Sequence, residues 1–433
     1  MSDALRIGIA GLGTVGAATI RILTAAHNEL AARAGRPIEI VAVSARSKSR
    51  DRGVDLAPYR WYDNPADLAR DAGVQLVVEL MGGSEGSAKE AIEAALTLGK
   101  PVVTANKALL AAHGPALAAL AEKHGTTIAF EAAAAGGIPV IKALREALVG
   151  NKVTRVSGIL NGTCNYILSR MEAEGLDFAA CLKAAQELGY AEADPTFDIE
   201  GYDTAHKLAL LTALAFGTEV DGDAVYVEGI SNVTPLDLEM AEELGFRIKL
   251  LGVAERTAAG IEQRVHPTMV ARTGQLANVM GVTNAVAIEA EPVGTITLVG
   301  PGAGGGATAS AVVGDIIDIA RGNLVATFGR PSGELEKPIR APMQRHEGGY
   351  YIRLSVLDRP GAAAIIATRM AERGISLESI LQKGRDARRN ANGSVPVILI
   401  TYATTELLIR NAVAAIAEDG VLDGAPQVIR IER

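Results

Sequence analysis

Residues 5–16, which read LRIGIAGLGTVG, decide the fold of this chain. Leu5–Ala10 is predicted to form a short apolar strand, and a helical pattern follows over Ala17–Ala32. The first glycine makes the turn, the second admits a pyrophosphate to the backbone, and the third lets helix and strand pack closely. Free amide groups at the helix start bind the anion. We predict a dinucleotide site formed by Gly11, Gly13, Thr14, Val15 and Gly16. The alternative is a glycine-rich turn that holds no ligand.

More strand–helix units follow this motif. The predicted strands are Ile38–Val43, Leu76–Leu80, Val102–Thr104 and Thr127–Phe130, with helical patterns at Ser87–Leu98 and Ala108–His124. Alternating units of this kind build an α/β fold with a doubly wound parallel sheet, whose ligands lie at the carboxyl ends of the strands. Lys107 and Glu131 fall at such ends. We therefore predict a Rossmann-type nucleotide-binding domain over residues 1–140.

The end of the second predicted strand bears on the choice of cofactor. A site that prefers NAD usually carries an acid there to bind the ribose 2′-hydroxyl, whereas an arginine accommodates the 2′-phosphate of NADP. No acid stands in residues 44–48, which include Arg46 and Lys48. The sequence therefore favours NADP over NAD, with a solvated basic loop as the alternative.

Residues 189–215 form the second informative stretch. Five carboxylates fall within a dozen residues, namely Glu192, Asp194, Asp198, Glu200 and Asp203. Lys207 follows, and the next residues, Leu208–Phe216, are apolar on every side, which is typical of a buried helix. Asp203 and Lys207 are four residues apart and so share one helix face. Crowded carboxylates are tolerated mainly where a cation, such as a ligand ammonium, neutralises them. The stretch therefore indicates a reaction site, and the alternative is a solvated Asp–Lys pair.

Residues 141–321 are predicted to form an α+β substrate and dimerisation domain. Its strand patterns lie at Val153–Ile159, Ile230–Val233, Ile248–Ala254, Glu262–Met269 and Ala285–Glu291. A second glycine-rich run, residues 299–310, leads into a predicted helix at Ala311–Ala320. We expect this run, with Gly302, to return to the cofactor; the alternative is a packed turn. Cys164 has no base near it in sequence and is read as a small buried residue, and His206 is read as structural.

The carboxyl-terminal part reads as a separate module. Residues 322–349 are predicted to be a linker that carries three prolines. Residues 350–433 then give a strand, a helix, two strands, a helix and a strand, which is the ferredoxin-like order. A module of this size cannot easily bury a full core unaided, so we expect it to pair with its counterpart in another subunit.

Composition narrows the class of protein. A length of 433 residues predicts two or three domains, and a net charge of −8 argues against nucleic-acid or anionic-membrane partners. Two cysteines and six scattered histidines imply no disulfide framework and no transition-metal site. The amino terminus lacks the basic and apolar segments of a signal peptide, and we find no apolar run long enough to span a membrane. We expect a cytoplasmic protein.

Taken together, the motifs resemble those of a monofunctional homoserine dehydrogenase along the whole chain. GLGTVG, VTANK ending at Lys107, EAAAAGGIPV, GILNGTCNYIL and GYAEADPTFDIEGYDTAHKL occur in the order of that family. The tail, with its DRPG turn, resembles an ACT domain, a module that senses small molecules. The resemblance implies interconversion of L-aspartate 4-semialdehyde and L-homoserine with NAD or NADP, in threonine and methionine biosynthesis.

The resemblance also implies roles for individual residues. Lys207 matches the lysine that passes a proton to or from the aldehyde oxygen, and Asp203 matches its neighbouring acid. Glu192 and Asp198 match residues that bind the amino acid, Thr163 a residue whose backbone contacts it, and Lys107 one at the nicotinamide and substrate. A monovalent-cation site, which we take to be for Na⁺, is implied at Glu131, Ala134, Gly136 and Ile138. Ala134 stands where the family carries valine, and Tyr402 where its ACT domain often has histidine.

Two other functions compete with this one. A non-catalytic sensor could bind a dinucleotide and an amino acid, although Lys207 and Lys107 in an acidic setting argue against it. Another ACT-bearing dehydrogenase, acting on a hydroxy acid, would typically rely on His and Arg rather than lysine. For the tail, we expect a threonine effector and assembly into a homodimer or homotetramer; the alternative is a dimerisation domain with no effector.

Overall fold

The amino-terminal part forms the predicted parallel sheet. The computed structural model describes residues 3–382 and 393–432. The strands of this sheet are β1 (Leu5–Ala10), β2 (Ile38–Ser44), β3 (Arg60–Tyr62), β4 (Leu76–Glu79), β5 (Val102–Thr104) and β6 (Ile128–Ala129). The helices around it are α1 (Thr14–Ala25), α2 (His27–Ala34), α3 (Pro65–Arg70), α4 (Ser87–Thr97) and α5 (Lys107–Lys123). All neighbouring strands run parallel in the order β3-β2-β1-β4-β5-β6, which is the dinucleotide-binding order. The α/β prediction is confirmed.

The middle of the chain contributes to a second, mixed sheet. Its strands are β7 (Lys152–Ile159), β8 (Tyr226–Val227), β9 (Phe246–Thr257), β10 (Gly260–Ala271), β11 (Thr283–Glu291) and β12 (Gly294–Pro301). Its helices are α6 (Val140–Lys142), α7 (Gly162–Glu174), α8 (Phe178–Glu187), α9 (Thr196–Ile199), α10 (Tyr202–Phe216), α11 (Pro235–Glu243) and α12 (Gly305–Ala320). Helix α10 is buried along most of its length, as its apolar sequence predicts.

The tail adds strands to the same sheet. Its elements are β13 (Glu347–Leu357), α13 (Ala362–Ala371), β14 (Leu377–Gln382), β15 (Ser394–Thr401), β16 (Thr404–Thr405), α14 (Glu406–Glu418) and β17 (Gln427–Glu432). The order along the sheet is β12-β11-β7-β9-β10-β17-β13-β15-β14. The four tail strands on this path, β17, β13, β15 and β14, therefore keep the ferredoxin-like order, with the last strand beside the first, while β16 pairs with β13 off the path. Strand β17 pairs in parallel with β10 of the same chain.

The segment predicted as a linker lies against the middle of the chain. Ile261 N donates to Ile339 O at 2.7 Å, and Ala341 N donates to Ile261 O at 2.9 Å. The Arg340 guanidinium forms a forked pair with the Asp221 carboxylate at 2.6 and 2.7 Å. Residues 322–346 therefore fasten the tail to the rest of the chain instead of spacing it away.

Helix α12 returns to the amino-terminal sheet. A Cβ atom on Gly305 would lie 2.8 Å from Thr14 Cγ2, so the two helices α1 and α12 touch at their starts. Val312 and Ile316 of α12 share an apolar core with Ile7 and Ile9 of β1. The chain thus crosses back to the first sheet after completing most of the second.

Several sequence predictions need correction. Residues 230–233 form no strand, and Ile230 N donates instead to Ile199 O. The strand in this part of the chain is β8, which pairs with β10. The pattern over Ala17–Ala32 is divided between α1 and α2. Helix α12 begins at Gly305, six residues before the predicted start, and strands β3 and β12 were not foreseen. Among the described residues, no helix is both long and apolar enough to cross a bilayer.

Candidate active site

The site is built around Asp203, in the first turn of α10. Gly201, with φ +87°, precedes the helix, and a Cβ there would lie 3.0 Å from Val265 Cγ1. Lys207 Nζ donates to Asp203 Oδ2 at 2.6 Å and to Leu160 O at 2.7 Å. Asp203 is 5% exposed. The predicted i,i+4 contact is therefore made, but in a buried setting and not on a solvated face.

A second lysine reaches Asp203 from the nucleotide-binding sheet. Asn106 caps α5 by accepting from Leu109 N at 3.1 Å, and Lys107 is the first residue of that helix. Lys107 Nζ lies 3.2 Å from Asp203 Oδ1. One carboxylate thus holds two ammonium groups, one from each half of the chain, at the carboxyl end of β5.

Asn161 organises the acids, and sequence reasoning missed it. Its Oδ1 accepts from Cys164 N at 2.8 Å and caps α7. Its Nδ2 donates to Asp198 Oδ1 at 2.7 Å and to Asp203 Oδ2 at 2.9 Å. Asparagine at a helix start after a strand is a capping signal in the sequence. Nothing in the sequence indicated that Asn161 would also bridge two acids some forty residues away.

The electrostatics of the two aspartates differ. Burial disfavours the charge on Asp203, but Lys207 and Lys107 hold the pKa of its carboxyl well below the usual range. Burial raises the pKa of Asp198, although the hydrogen bond from Asn161 opposes this rise. Asp203 is therefore held in its charged form, whereas burial makes the charged form of Asp198 less favourable than that of a free carboxyl.

The other predicted substrate residues are less closely gathered. Thr163 Oγ1 donates to Tyr190 O at 2.6 Å, which fixes the start of α7 against the acidic stretch. The Glu192 side chain is exposed, and we find no contact of its carboxylate with the described residues. Cys164 is fully buried, burial raises the pKa of its thiol, and its Sγ lies 3.2 Å from Asp198 O. The interpretation of Cys164 as a packed residue agrees with this position.

A cleft of about 370 Å³ lies at the glycine-rich turn of the first sheet. Gly11 adopts φ +98°, and a Cβ atom there would lie 2.5 Å from the Leu80 backbone. A Cβ atom on Gly16 would collide with Gly11 O. A Cβ on Gly13 would meet no described atom within 4 Å, so this glycine faces open space. Helix α1 has no acid in its first turn and no side-chain cap. The turn and helix start therefore fit a dinucleotide pyrophosphate.

The walls of this cleft include basic residues beyond those predicted. Arg46 lines it together with Arg50 and Arg52, whereas Lys48 is exposed outside it. Asp63, which accepts from Trp61 Nε1 at 2.8 Å, and Glu85 are acids in the same lining. The missed arginines lie only a few residues past Arg46, but their approach to the turn depends on the path of the loop. Arg52 Nε donates to Leu12 O at 3.1 Å.

Glu79 was also missed. Its fully buried carboxylate accepts from Met81 N at 2.6 Å and from Thr104 Oγ1 at 2.7 Å. Met81 belongs to the wall of the cleft. An acid inside the apolar run of β4 was the available signal, because a buried charge needs partners.

The remaining predicted cofactor residues are not among those that line the cleft. Thr14 and Val15 open α1, and Lys107 lies at the Asp203 cluster. Gly302 is buried, and a Cβ there would lie 1.9 Å from Asn284 Nδ2. Its carbonyl oxygen lies 2.3 Å from where a Cβ of Gly136 would be. The second glycine-rich run therefore meets the predicted cation segment.

The predicted cation segment packs against α6 and against the second glycine-rich run. Both carboxylate oxygens of Glu131 accept backbone amides of α6, from Ile141 and Lys142, at 2.8 Å each. Burial and the nearby Asp315 raise the pKa of Glu131 to about 7. Ala134 and Ile138 are buried, and Gly136 adopts φ +58°. Within residues 3–382 and 393–432, no cluster of three or more His, Cys, Asp or Glu is placed to hold a metal.

Comparison with known proteins identifies the family. The family profile "Homoserine dehydrogenase, NAD binding domain" matches residues 11–131, and "Homoserine dehydrogenase" matches residues 139–317. The homoserine dehydrogenase of Neisseria gonorrhoeae is 44% identical over 99% of this chain and 98% of its own. That of Pseudomonas aeruginosa is also 44% identical and covers 99% of both chains.

Solved structures agree. A homoserine dehydrogenase from Thiobacillus denitrificans superposes with a TM-score of 0.93 at 42% identity, over 99% of this chain and 98% of that one. A hyperthermophilic archaeal homoserine dehydrogenase in complex with NADPH matches at 27% identity and a TM-score of 0.63, over 73% of this chain and 97% of its own. The chain belongs to the homoserine dehydrogenase family of NAD(P)-dependent oxidoreductases.

Proposed function

We propose that this protein interconverts L-aspartate 4-semialdehyde and L-homoserine at the Lys107–Asp203–Lys207 cluster, as a step of threonine and methionine biosynthesis in the cytoplasm. The contact of both lysines with one buried carboxylate carries the proposal. It places two positive charges where the nucleotide-binding sheet meets the acidic stretch. Reduction of an aldehyde needs such charge, because negative charge grows on the carbonyl oxygen.

Lys207 holds the proton for the carbonyl oxygen. The nicotinamide, when bound, supplies or accepts the hydride. Lys207 Nζ is oriented by Asp203 and by Leu160 O, which occupy two of its three N–H directions and leave the third for the substrate oxygen. In the oxidative direction the same amine takes the hydroxyl proton. Lys107, on the other oxygen of Asp203, adds charge and orients the substrate.

The acids beside the lysines bind the amino-acid end of the substrate. Asp198 accepts a hydrogen bond from Asn161, and burial raises its pKa, so a substrate ammonium beside it would stabilise its charged form. We assign Glu192 to the same ammonium, from the exposed side of the stretch. The backbone of Thr163, at the start of α7, contacts the substrate.

An assay with competing substrates tests the proposed function. Oxidation of NADPH and NADH is followed with aspartate 4-semialdehyde and with a panel of 2-oxo acids. We expect turnover with the semialdehyde alone. Turnover with a 2-oxo acid instead would assign the chain to a hydroxy-acid dehydrogenase. Dinucleotide binding without turnover would make it a sensor.

We further propose that NADP is used at least as well as NAD. Arg46 and Arg50 in the lining of the cleft support a 2′-phosphate, and Asp63 and Glu85 in the same lining are the opposing features. Arg46→Ala should lower the NADP/NAD ratio of kcat/KM by roughly tenfold, the scale of one charge-assisted contact. Lys48→Ala is the matched control, because Lys48 is exposed outside the cleft and its removal should leave the ratio unchanged. An unchanged ratio in Arg46→Ala would mean that Arg46 is a solvated loop residue.

Two finer assignments complete the proposal. Backbone oxygens of Glu131, Ala134, Gly136 and Ile138 hold a monovalent cation, Na⁺, whose role is to brace the junction of this segment with Gly302. The tail is an ACT domain that assembles the chain into a homodimer or homotetramer and takes threonine as its effector. Its terminal strand β14, which ends the sheet, and Ile380 on it, 51% exposed, support pairing between subunits.

A further inference from the structure

A buried carboxylate lies between the reaction site and the cleft at the glycine-rich turn, which we call the cofactor cleft. Glu79 ends β4 and is fully buried. Its Oε1 accepts from Met81 N at 2.6 Å and from Gly82 N at 3.2 Å. Both of these residues line the cofactor cleft. Glu79 therefore fixes the backbone of one wall of this cleft.

The other oxygen of Glu79 holds the end of the neighbouring strand. Thr104, the last residue of β5, donates its hydroxyl to Glu79 Oε2 at 2.7 Å and accepts from Asn106 N at 3.0 Å. Asn106 Nδ2 donates to Gly83 O at 2.7 Å, and its Oδ1 caps α5. Since α5 begins with Lys107, the hydrogen bonds run without a break from the cofactor cleft to the helix start that presents Lys107 to the reaction site.

An acid at position 79 is informative because packing alone would not favour it. The three hydrogen bonds are the polar contacts of this carboxylate with the described residues, and none of them comes from a cation. A buried carboxylate without a cation is costly, whereas a threonine or a valine would continue the strand at a lower cost. A carboxylate offers two acceptor oxygens on one rigid group. It can therefore hold the loop after β4 and the loop after β5 at a fixed distance from each other.

The loop after β4 has room to respond to a ligand. Gly82 and Gly83 adopt φ +80° and +88°, a region that favours glycine. A Cβ atom on Gly82 would meet no described atom within 4 Å, and one on Gly83 would meet only Glu85 O, at 4.0 Å. Glu79 is a buried anchor for this loosely packed loop. A ligand that prefers the anchored arrangement can therefore shift the loop and, with it, the start of α5.

We propose that Glu79, acting through Thr104, makes the placement of Lys107 depend on the bound dinucleotide. Glu79 and Thr104 are positioning residues, because they act through Lys107 and through the wall of the cofactor cleft. The dinucleotide and the substrate should then bind more tightly together than singly, and by linkage each strengthens the binding of the other by the same factor. The identity of the substrate, L-homoserine or the semialdehyde, rests on the proposed function.

The coupling is measured at equilibrium, without turnover. The fluorescence of NADPH reports its dissociation constant with and without saturating L-homoserine, a pair that cannot react because both members are reduced. In the wild type, homoserine should lower this constant at least about fivefold, the lower end of common coupling factors. Thr104→Val removes the hydroxyl but keeps the shape of the side chain, and should reduce the factor to less than about twofold. The dissociation constant of NADPH alone should change by less than about threefold, because Glu79 still holds Met81 and Gly82.

Two variants separate this role from a purely structural one. Thr104→Ser restores the hydroxyl and should restore the coupling. Thr127→Val removes another buried hydroxyl, which donates to Val325 O at 2.6 Å, and should lower stability without changing the coupling. Thermal unfolding measures the stability of each variant. In steady-state kinetics, kcat/KM for the semialdehyde should fall at least about tenfold in Thr104→Val alone, because a displaced Lys107 misplaces the substrate.

A coupling factor in Thr104→Val that equals the wild-type factor overturns the proposal. So does a loss of coupling in Thr127→Val, because the effect would then follow stability. If Thr104→Val does not fold, Glu79→Gln, which keeps one acceptor oxygen, is compared with the wild type in the same way. A wild type that reduces the semialdehyde but shows no coupling overturns this proposal and leaves the proposed function intact. A wild type that binds NADPH but neither binds homoserine nor reduces the semialdehyde refutes the proposed function, and this proposal with it.

Discussion

Two buried ionic clusters of this molecule differ in the cations that they use. The reaction site joins Asp203 to two lysines, and the seam between the catalytic part and the tail joins Glu228 and Glu406 to Arg430. Lysine can release its proton, whereas the guanidinium of arginine stays charged and saturates carboxylates through several N–H groups. In the proposed reaction the lysines thus occur where a proton moves, and the arginine occurs where a charge stays fixed.

The exposed fraction of the side chains also differs between the two clusters. The Lys107 side chain is 30% exposed and Lys207 12%, so a substrate can reach both ammonium groups. Arg430 and Glu406 are each 1% exposed, and Arg430 Nη2 lies 2.5 Å from Glu406 Oε1. Burial opposes the charge on Arg430, but the Glu228 and Glu406 carboxylates raise its pKa. Glu228, the third member of the seam, has a side chain that is 32% exposed, so the seam is closed at the Arg430–Glu406 pair and reaches solvent at Glu228.

The largest expected effect is the loss of the mobile proton. Lys207→Ala should lower turnover by roughly 10²–10⁴-fold, the usual contribution of a positioned acid–base group. Affinity for the dinucleotide should stay nearly intact, because Lys207 lies outside the cofactor cleft. Steady-state kinetics and fluorescence titration of NADPH measure the two quantities.

Lys183→Ala is the matched control for this change. Lys183 forms an i,i+4 pair with Glu187 on α8, but its side chain is 78% exposed. Its removal should leave turnover unchanged. Normal turnover in Lys207→Ala would refute the assignment of the proton to this amine.

What the sequence could predict depended on how locally each feature is encoded. The turn at Gly11 and the pairing of Asp203 with Lys207 are set within a few residues, and both were foreseen. The contact of Lys107 with Asp203 joins two parts of the chain, so only the family resemblance brought the two residues into one site. Asn161 was overlooked because its capping role is local but its two carboxylate partners are not.

The seam could not be predicted for the same reason. Arg430 and Glu228 are 202 residues apart, and the sequence of β17 gives no sign that its neighbour is β10. A proline-bearing stretch before the tail suggested a spacer, whereas residues 322–346 hydrogen-bond along the catalytic part. Truncation after Gly349 would therefore cut inside β13 and uncover β10, so it is a poor test of the tail.

The second expected effect is on stability. Arg430→Met should lower the free energy of unfolding by roughly 3–5 kcal/mol, because the buried Glu406 and the half-buried Glu228 would be left with only the half-exposed Arg410 as their cation. Arg33→Met removes an exposed partner of Glu29 and should change it by about 0–1 kcal/mol. Denaturant unfolding of both variants measures the difference. A small loss in Arg430→Met would show that Arg410 alone neutralises the seam.

The third prediction concerns the residue that holds the two acids. Asn161→Ser keeps a helix-capping oxygen but cannot bridge Asp198 and Asp203, so turnover should fall by roughly 10–100-fold. The hydrogen bonds from Asn161 lower the pKa of both aspartates. The acidic limb of the pH–kcat/KM profile should therefore move to higher pH. A fall in turnover with an unmoved limb would assign Asn161 to the helix cap alone.

The smallest expected effect is the pH dependence of the seam. Burial opposes the charge on Glu228, but the hydrogen bond and charge of Arg430 lower its pKa below the ordinary value of 4.5. Because the folded pKa is the lower one, this carboxylate stabilises the fold fully above the ordinary value, and its contribution is lost as the pH falls through the folded pKa.

Wild-type stability should thus decrease on acidification below about pH 5, and Glu228→Gln should show a shallower decrease. Glu29→Gln, at an exposed pair, should retain the wild-type slope. Unfolding free energies measured across this range decide between them, and hydrogen exchange in β17 locates the change. If Glu228→Gln keeps the wild-type slope, other carboxylates fasten the tail. Glu432, which pairs with Arg155 and Arg264, is then the next residue to test.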